Sequence, residues 1–228
     1  QFAFYQNNRR SQTRGVNTGK SGKDAQADRE VRVVTNLYAE VLHVVVRKSA
    51  GIERIRDLQK VKVSVGTQGS GIFQISEQVL AHYNMSIDDR QRHTLNFSDT
   101  LKAFDSGEID AAFIVTRNLS PTVTNLLQTG KYDLLPIQDT SALAFKNTAL
   151  FSILLPRTVY SGDPPIPSQD TQCIAAKASL ITHQQVPAFL VRTMTQMALS
   201  SSFRKQLREL TEDFAREEQD FPIHRGAT

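Results

Sequence analysis

One rhythm constrains this chain more than any other feature. Between Val61 and Gln128, short β-branched runs alternate with helical apolar patterns about ten residues long. Val61-Lys-Val-Ser-Val-Gly66 alternates and stops at glycine. Ile72, Ile75, Val79, Leu80 and Tyr83 then mark one face of a helix. A strand is expected at His93–Phe97, followed by a helix with Phe97, Leu101 and Phe104 on one face. Ile109–Val115 reads as a strand buried on both sides. Pro121–Gln128 reads as a helix with proline in its first turn, closed by Gly130. Strands alternating with helices imply an α/β fold with a mostly parallel sheet covered on both faces.

The flanks are less regular. Residues 1–5 suggest a short strand, and residues 6–30 a polar loop. Inside that loop, Gly15-Val-Asn-Thr-Gly19-Lys20-Ser21 imitates a phosphate-binding loop. It has three residues between its glycines where four are required, and no apolar strand before it. Val31–Thr35, Leu42–Arg47, Leu134–Ile137 and Phe151–Leu155 read as strands, and Ile55–Leu58 as a helical turn. Val186–Asp213 reads as helical. Leu190, Met194 and Met197 fall on one core stripe, and Phe203, Leu207, Leu210 and Phe214 on a second.

Composition removes several classes of function. With 228 residues there is enough chain for one ordinary domain or two small lobes. No apolar run approaches the roughly 18–20 residues that span a bilayer, and residues 1–30 contain no secretory h-region. The net charge of +4 comes from residues 1–48, which hold 9 Lys and Arg against 4 Asp and Glu. The other 180 residues hold 18 against 19, so the body lacks the clustered basic surface that nucleic acid needs. The single cysteine, Cys173, excludes an intrachain disulfide and sits in a strand-like run as a small core residue.

Three strand-to-helix turns could carry chemistry. In Val65-Gly66-Thr67-Gln68-Gly69-Ser70-Gly71-Ile72, a strand runs into a glycine-rich turn that opens a helix. The first amides of a helix lack partners within it, and its dipole is positive there. Such a turn suits a carboxylate or phosphate. It equally suits a tight connection with Ser70 as N-cap. Asn96-Phe97-Ser98-Asp99-Thr100 is a second such turn, with Ser98 as the expected N-cap. Thr116-Arg117-Asn118-Leu119-Ser120-Pro121 is the third. There Arg117 is either a bidentate carboxylate ligand or a plain surface arginine. In a parallel sheet these turns share the edge where ligands usually bind. No two histidines share i,i+4 or HExxH spacing, and there is no GxSxG elbow, so neither a metal nor a catalytic set is nominated.

Ordered segments across most of the chain resemble one family. They are Leu37-Tyr38-Ala-Glu40, His43-Val-Val-Val-Arg47, Gly51-Ile52, Asp57-Leu58, Val63-Ser-Val-Gly66-Thr-Gln-Gly-Ser70-Gly71, Gly107-Glu-Ile-Asp110-Ala-Ala-Phe, Leu155-Pro-Arg-Thr-Val-Tyr160 and the closing Phe221-Pro-Ile-His224-Arg-Gly226-Ala227. Their order is similar to that of the TAXI solute-binding proteins of tripartite ATP-independent periplasmic (TRAP) transporters. The resemblance implies a type II periplasmic-binding-protein-like fold with two lobes, the first incomplete. Residues 1–47 would form part of lobe 1, 48–168 lobe 2, and 169–228 the return strand and C-terminal helix of lobe 1. It implies a cleft that takes a small organic acid or amino acid such as glutamate. No cofactor or metal is required. Ligand contacts would come from Tyr38, Thr67, Gly69, Ser70, Gly71, Ser98, Thr116 and Asn118. The implied partner is a TRAP-type membrane permease. The implied location is periplasmic or extracytoplasmic, and some relatives continue past the closing motif into membrane segments. Two departures stand out. Tyr-Pro-Glu of the family is Tyr38-Ala39-Glu40 here. The family's opening strand–helix units, with their own Gly-rich ligand loop, have no counterpart, so the chain is either part of a longer protein or a reduced member. A sensor module and an enzyme are alternatives on the same scaffold.

Overall fold

The structure is a computed structural model, and it describes residues 2–6, 30–206, 212–217 and 221–228. Residues 7–29 of the polar loop, with its phosphate-loop mimic, and Leu207 and Leu210 lie outside the described residues. The chain divides into two compact units. Unit 1 is Gln1–Ala39 with Ala176–Thr228, and unit 2 is Glu40–Ala175. The divisions fall inside two long strands, β2 (Val31–Arg47) and β10 (Thr171–His183). The sequence reading placed them at 47/48 and 168/169, near strand ends.

β2 departs from the expected pair of short strands. Its 17 residues run unbroken through Asn36-Leu-Tyr-Ala-Glu40. The polar residues that suggested a gap have partners: Asn36 is buried, donates to the carbonyls of Phe214 (3.1 Å) and Glu217 (3.3 Å), and accepts from Ser179 Oγ (2.7 Å). A buried polar group that satisfies its hydrogen bonds need not end a strand.

Unit 2 holds the alternating segments. β3 (Val63–Ser64) leads to α1 (Gly71–His82), β4 (Arg92–His93) to α2 (Phe97–Ser106), and β5 (Ala111–Arg117) to α3 (Pro121–Gln128). β3 pairs in parallel with β4 and with β5, so these three form the parallel centre. β2 joins antiparallel to β5, from Glu40↔Arg117 to Val46↔Ala111. β6 (Tyr132–Leu134) also pairs antiparallel with β2. A helix absent from the sequence reading, α4 (Thr140–Lys146), packs on β7 (Leu150–Leu155). A small hairpin of β8 (Ser161–Gly162) and β9 (Pro165–Ile166) follows. The core contains Ile75, Phe104, Ile109, Phe113, Ile114 and Leu127, each at most 2 % exposed. The buried face of α2 is Thr100, Ala103 and Phe104; Phe97, expected on it, is exposed.

In unit 1, β1 (Phe2–Gln6) runs antiparallel to β10. The closing motif adds an edge: His224 N donates to Val33 O (2.9 Å), and Val33 N to Pro222 O (3.0 Å). Gly226 packs so tightly that a Cβ there would lie 2.3 Å from the Ala188 carbonyl oxygen. The tail is not one helix. It breaks at Leu199-Ser200 between α5 (Ala188–Ala198) and α6 (Ser201–Gln206), and α7 (Glu212–Arg216) follows. The buried positions of α5 are Val191 and Ala198, whereas Leu190 and Met197 of the expected stripe are 43 % and 59 % exposed. Helical spacing gives a phase only to within one residue, and α5 presents a neighbouring line of positions to the core.

Candidate functional site

The parallel centre places three turns at one edge. The chain leaves the carboxyl ends of β3, β4 and β5 and enters α1, α2 and α3 there. All three turns belong to unit 2.

The first turn is built by glycine. Gly66 has φ +85°, and a Cβ on it would meet Ile72 Cγ2 at 2.7 Å and Phe73 N at 3.0 Å. Only glycine fits that corner. Gly69 also has positive φ, +79°, but with open space around it. Thr67, Gln68 and Gly69 are exposed, Ser70 is half-buried and Gly71 is buried. Ser70 caps α1, accepting from Phe73 N at 3.2 Å. The 12-residue α1 has no acidic residue in its first turn, so its positive end is not neutralised locally.

The second turn differs. Asn96, not Ser98, caps α2, accepting from Asp99 N at 2.9 Å. Ser98 is an exposed residue inside the first turn. The reason is local chemistry: the Asn96 carbonyl oxygen takes the N3 amide while its amide group donates to the Asp99 carboxylate (2.7 Å). Asp99 also brings its own negative charge to this helix start, so an anion is served better by α1.

The third turn carries Thr116, Arg117 and Asn118. Thr116 and Asn118 are half-buried and Arg117 is exposed. Asn118 Oδ1 is inaccessible to solvent and has no hydrogen-bond partner among the described residues. The structure therefore brings Thr67, Gly69, Ser70, Gly71, Ser98, Thr116 and Asn118 to one edge of unit 2. Tyr38 is not among them: it lies in unit 1 and packs against the Val34, Leu37, Leu180 cluster.

Two buried reactive groups, His43 and Cys173, are inert. His43 is fully buried, its Nε2 2.6 Å from Tyr160 Oη, and burial holds its pKa down to about 4. It is a neutral core histidine near pH 7. Cys173 is buried, and its thiol is pushed up to about 12 by desolvation, which keeps it protonated and non-nucleophilic. No group of three His, Cys, Asp or Glu able to hold a metal occurs among the described residues. No helix among them is long and apolar enough to cross a membrane.

The mixed α/β units, with a parallel centre whose turns open helices, have a periplasmic-binding-protein-like fold. A family model described as the NMT1-like family matches residues 4–228, and the chain belongs to that family. A solved structure titled as that of a periplasmic transporter is 13 % identical, with a TM-score of 0.54 over 91 % of this chain and 67 % of its own, which speaks to the fold alone. The periplasmic aliphatic sulphonate binding protein SsuA of Escherichia coli is 25 % identical over 56 % of this chain and 46 % of its own, with a TM-score of 0.40. MatC of Rhodopseudomonas palustris, solved with bound malate, is 12 % identical over 78 % of this chain and 59 % of its own, with a TM-score of 0.49. The chain thus spans about half to two thirds of the length of these proteins.

Proposed function

We propose that this chain is an extracytoplasmic solute-binding domain of the TAXI type. It captures a small carboxylate, glutamate-like in kind, and presents it to a TRAP-type permease. The observation that carries this reading is the Gly66–Gly71 turn, exposed at Thr67–Gly69, at the positive end of α1, whose first turn has no acidic residue. A carboxylate set against it accepts from backbone amides and gains from the dipole. Thr67 and Ser70 supply hydroxyls, and Thr116 and Asn118 stand at a neighbouring strand end. Binding needs no covalent step and no metal.

Calorimetric titration of amino and dicarboxylic acids tests it. Ser70→Arg fills the turn and is expected to weaken a detected affinity at least tenfold. Unchanged affinity in a folded Ser70→Arg protein removes the turn from the site.

A further inference from the structure

Glu40 is the first residue of unit 2, and its Cα is the register partner of Arg117. Directly opposed residues on antiparallel strands point to the same face, with Cβ atoms roughly 5 Å apart. Glu40 is half-buried and Arg117 exposed. Their Cα atoms are register partners, yet among the described residues neither side chain makes a hydrogen bond or an ion pair. A partly desolvated carboxylate without a cation is costly. Burial also raises the Glu40 pKa above its ordinary value, the mark of a carboxylate not compensated from within the protein. One residue past Arg117, the side-chain amide oxygen Oδ1 of Asn118 is a second buried acceptor, without a donor among the described residues. Unmatched acceptors call for a donor, and a plain dicarboxylate brings none.

We propose that Glu40 is the specificity residue that recognises a ligand ammonium group, with Arg117 beside it taking the adjacent carboxylate, so that the solute is an α-amino acid and not a simple organic acid. This rests on the carboxylate-binding reading above and sharpens it. A negative and a positive residue at one register position of adjacent strands complement the head group of a zwitterion. The turn at Gly66–Gly71 is then left for a second carboxylate or another acceptor on the side chain.

The test is calorimetry of the common L-amino acids against their des-amino counterparts, glutarate for glutamate and succinate for aspartate. The wild type is expected to bind the best amino acid at least tenfold more tightly than its counterpart. Glu40→Gln, which keeps the shape, is expected to lose that preference while glutarate or succinate affinity stays within about twofold. Arg117→Gln, at an exposed position, is expected to weaken both classes. Equal losses for both classes in Glu40→Gln, or no loss in either, overturn the assignment. If des-amino acids bind as well as amino acids and Ser70→Arg abolishes both, the role of Glu40 fails while the carboxylate site stands. Binding of neither class by the wild type overturns both.

Discussion

The two units meet the same physical demand differently. Unit 2 covers its sheet with helices, and Phe104, Phe113 and Leu127 beneath them are almost wholly buried, while Phe145 at its periphery is 89 % exposed. In unit 1 Phe189 is 68 % exposed, and Met197, 59 % exposed, lines a groove of about 580 Å³ with Leu37, Leu180, Met194 and Phe203. Both units bury a histidine: His43 of unit 2 is sealed against Tyr160, and His224 of unit 1 is 1 % exposed. The contrast is between the buried centre of unit 2, on which the Gly66 turn sits, and the open apolar groove of unit 1. A preorganised ligand turn belongs on the former.

The largest expected effect uses His43. Its folded pKa of about 4 lies below the unfolded value of 6.5, so only the unfolded chain takes up this proton as pH falls between them. Stability is therefore full above about pH 6.5 and declines toward pH 4, by roughly 3 kcal/mol for a shift of this size. Urea denaturation at several pH values should show the slope, and His43→Gln should flatten it. A slope unchanged in that variant would place the sensitivity elsewhere.

A smaller effect separates two glycines of one turn. Gly66→Ala combines positive φ with a clash against Ile72 and should cost about 2 kcal/mol or more. Gly69→Ala bears only the strain of its φ, about 1 kcal/mol. Equal melting temperatures for the two would contradict the packing described here. The smallest effect is in unit 1. Met197→Ser removes an exposed apolar side chain and should change stability by no more than about 0.5 kcal/mol. A loss of several kcal/mol would show that this face is covered in solution.

Much of unit 2 was legible because its periods are regular. α3 has the bounds that Pro121 implied, α1 ends at His82, one residue short of Tyr83 on its expected face, and the turn at Gly66 was visible as strand, glycine, helix. What could not be read depended on distant partners. The unbroken course of β2 rests on Asn36 reaching Ser179 and Phe214, more than 140 residues away in sequence. The cap of α2 depended on Asn96 and Asp99 bonding to each other, which outcompetes Ser98. Helix α4 is one short amphipathic stretch, Thr140-Ser-Ala-Leu-Ala-Phe-Lys, with Leu143 as its buried apolar anchor and Phe145 89 % exposed, too little for a periodicity argument. Within the candidate site, the residue types of the Gly66–Gly71 turn were readable, but Glu40 was not. Its significance lies in the register that sets it opposite Arg117.

Amide-resolved NMR tests the central claim most directly. Titrating the isotopically labelled protein with L-glutamate should move the backbone amides of residues 67–72 most, saturably, with smaller shifts at Thr116–Asn118. Saturable binding that leaves those amides unmoved and shifts residues around Met194 and Phe203 would contradict the account.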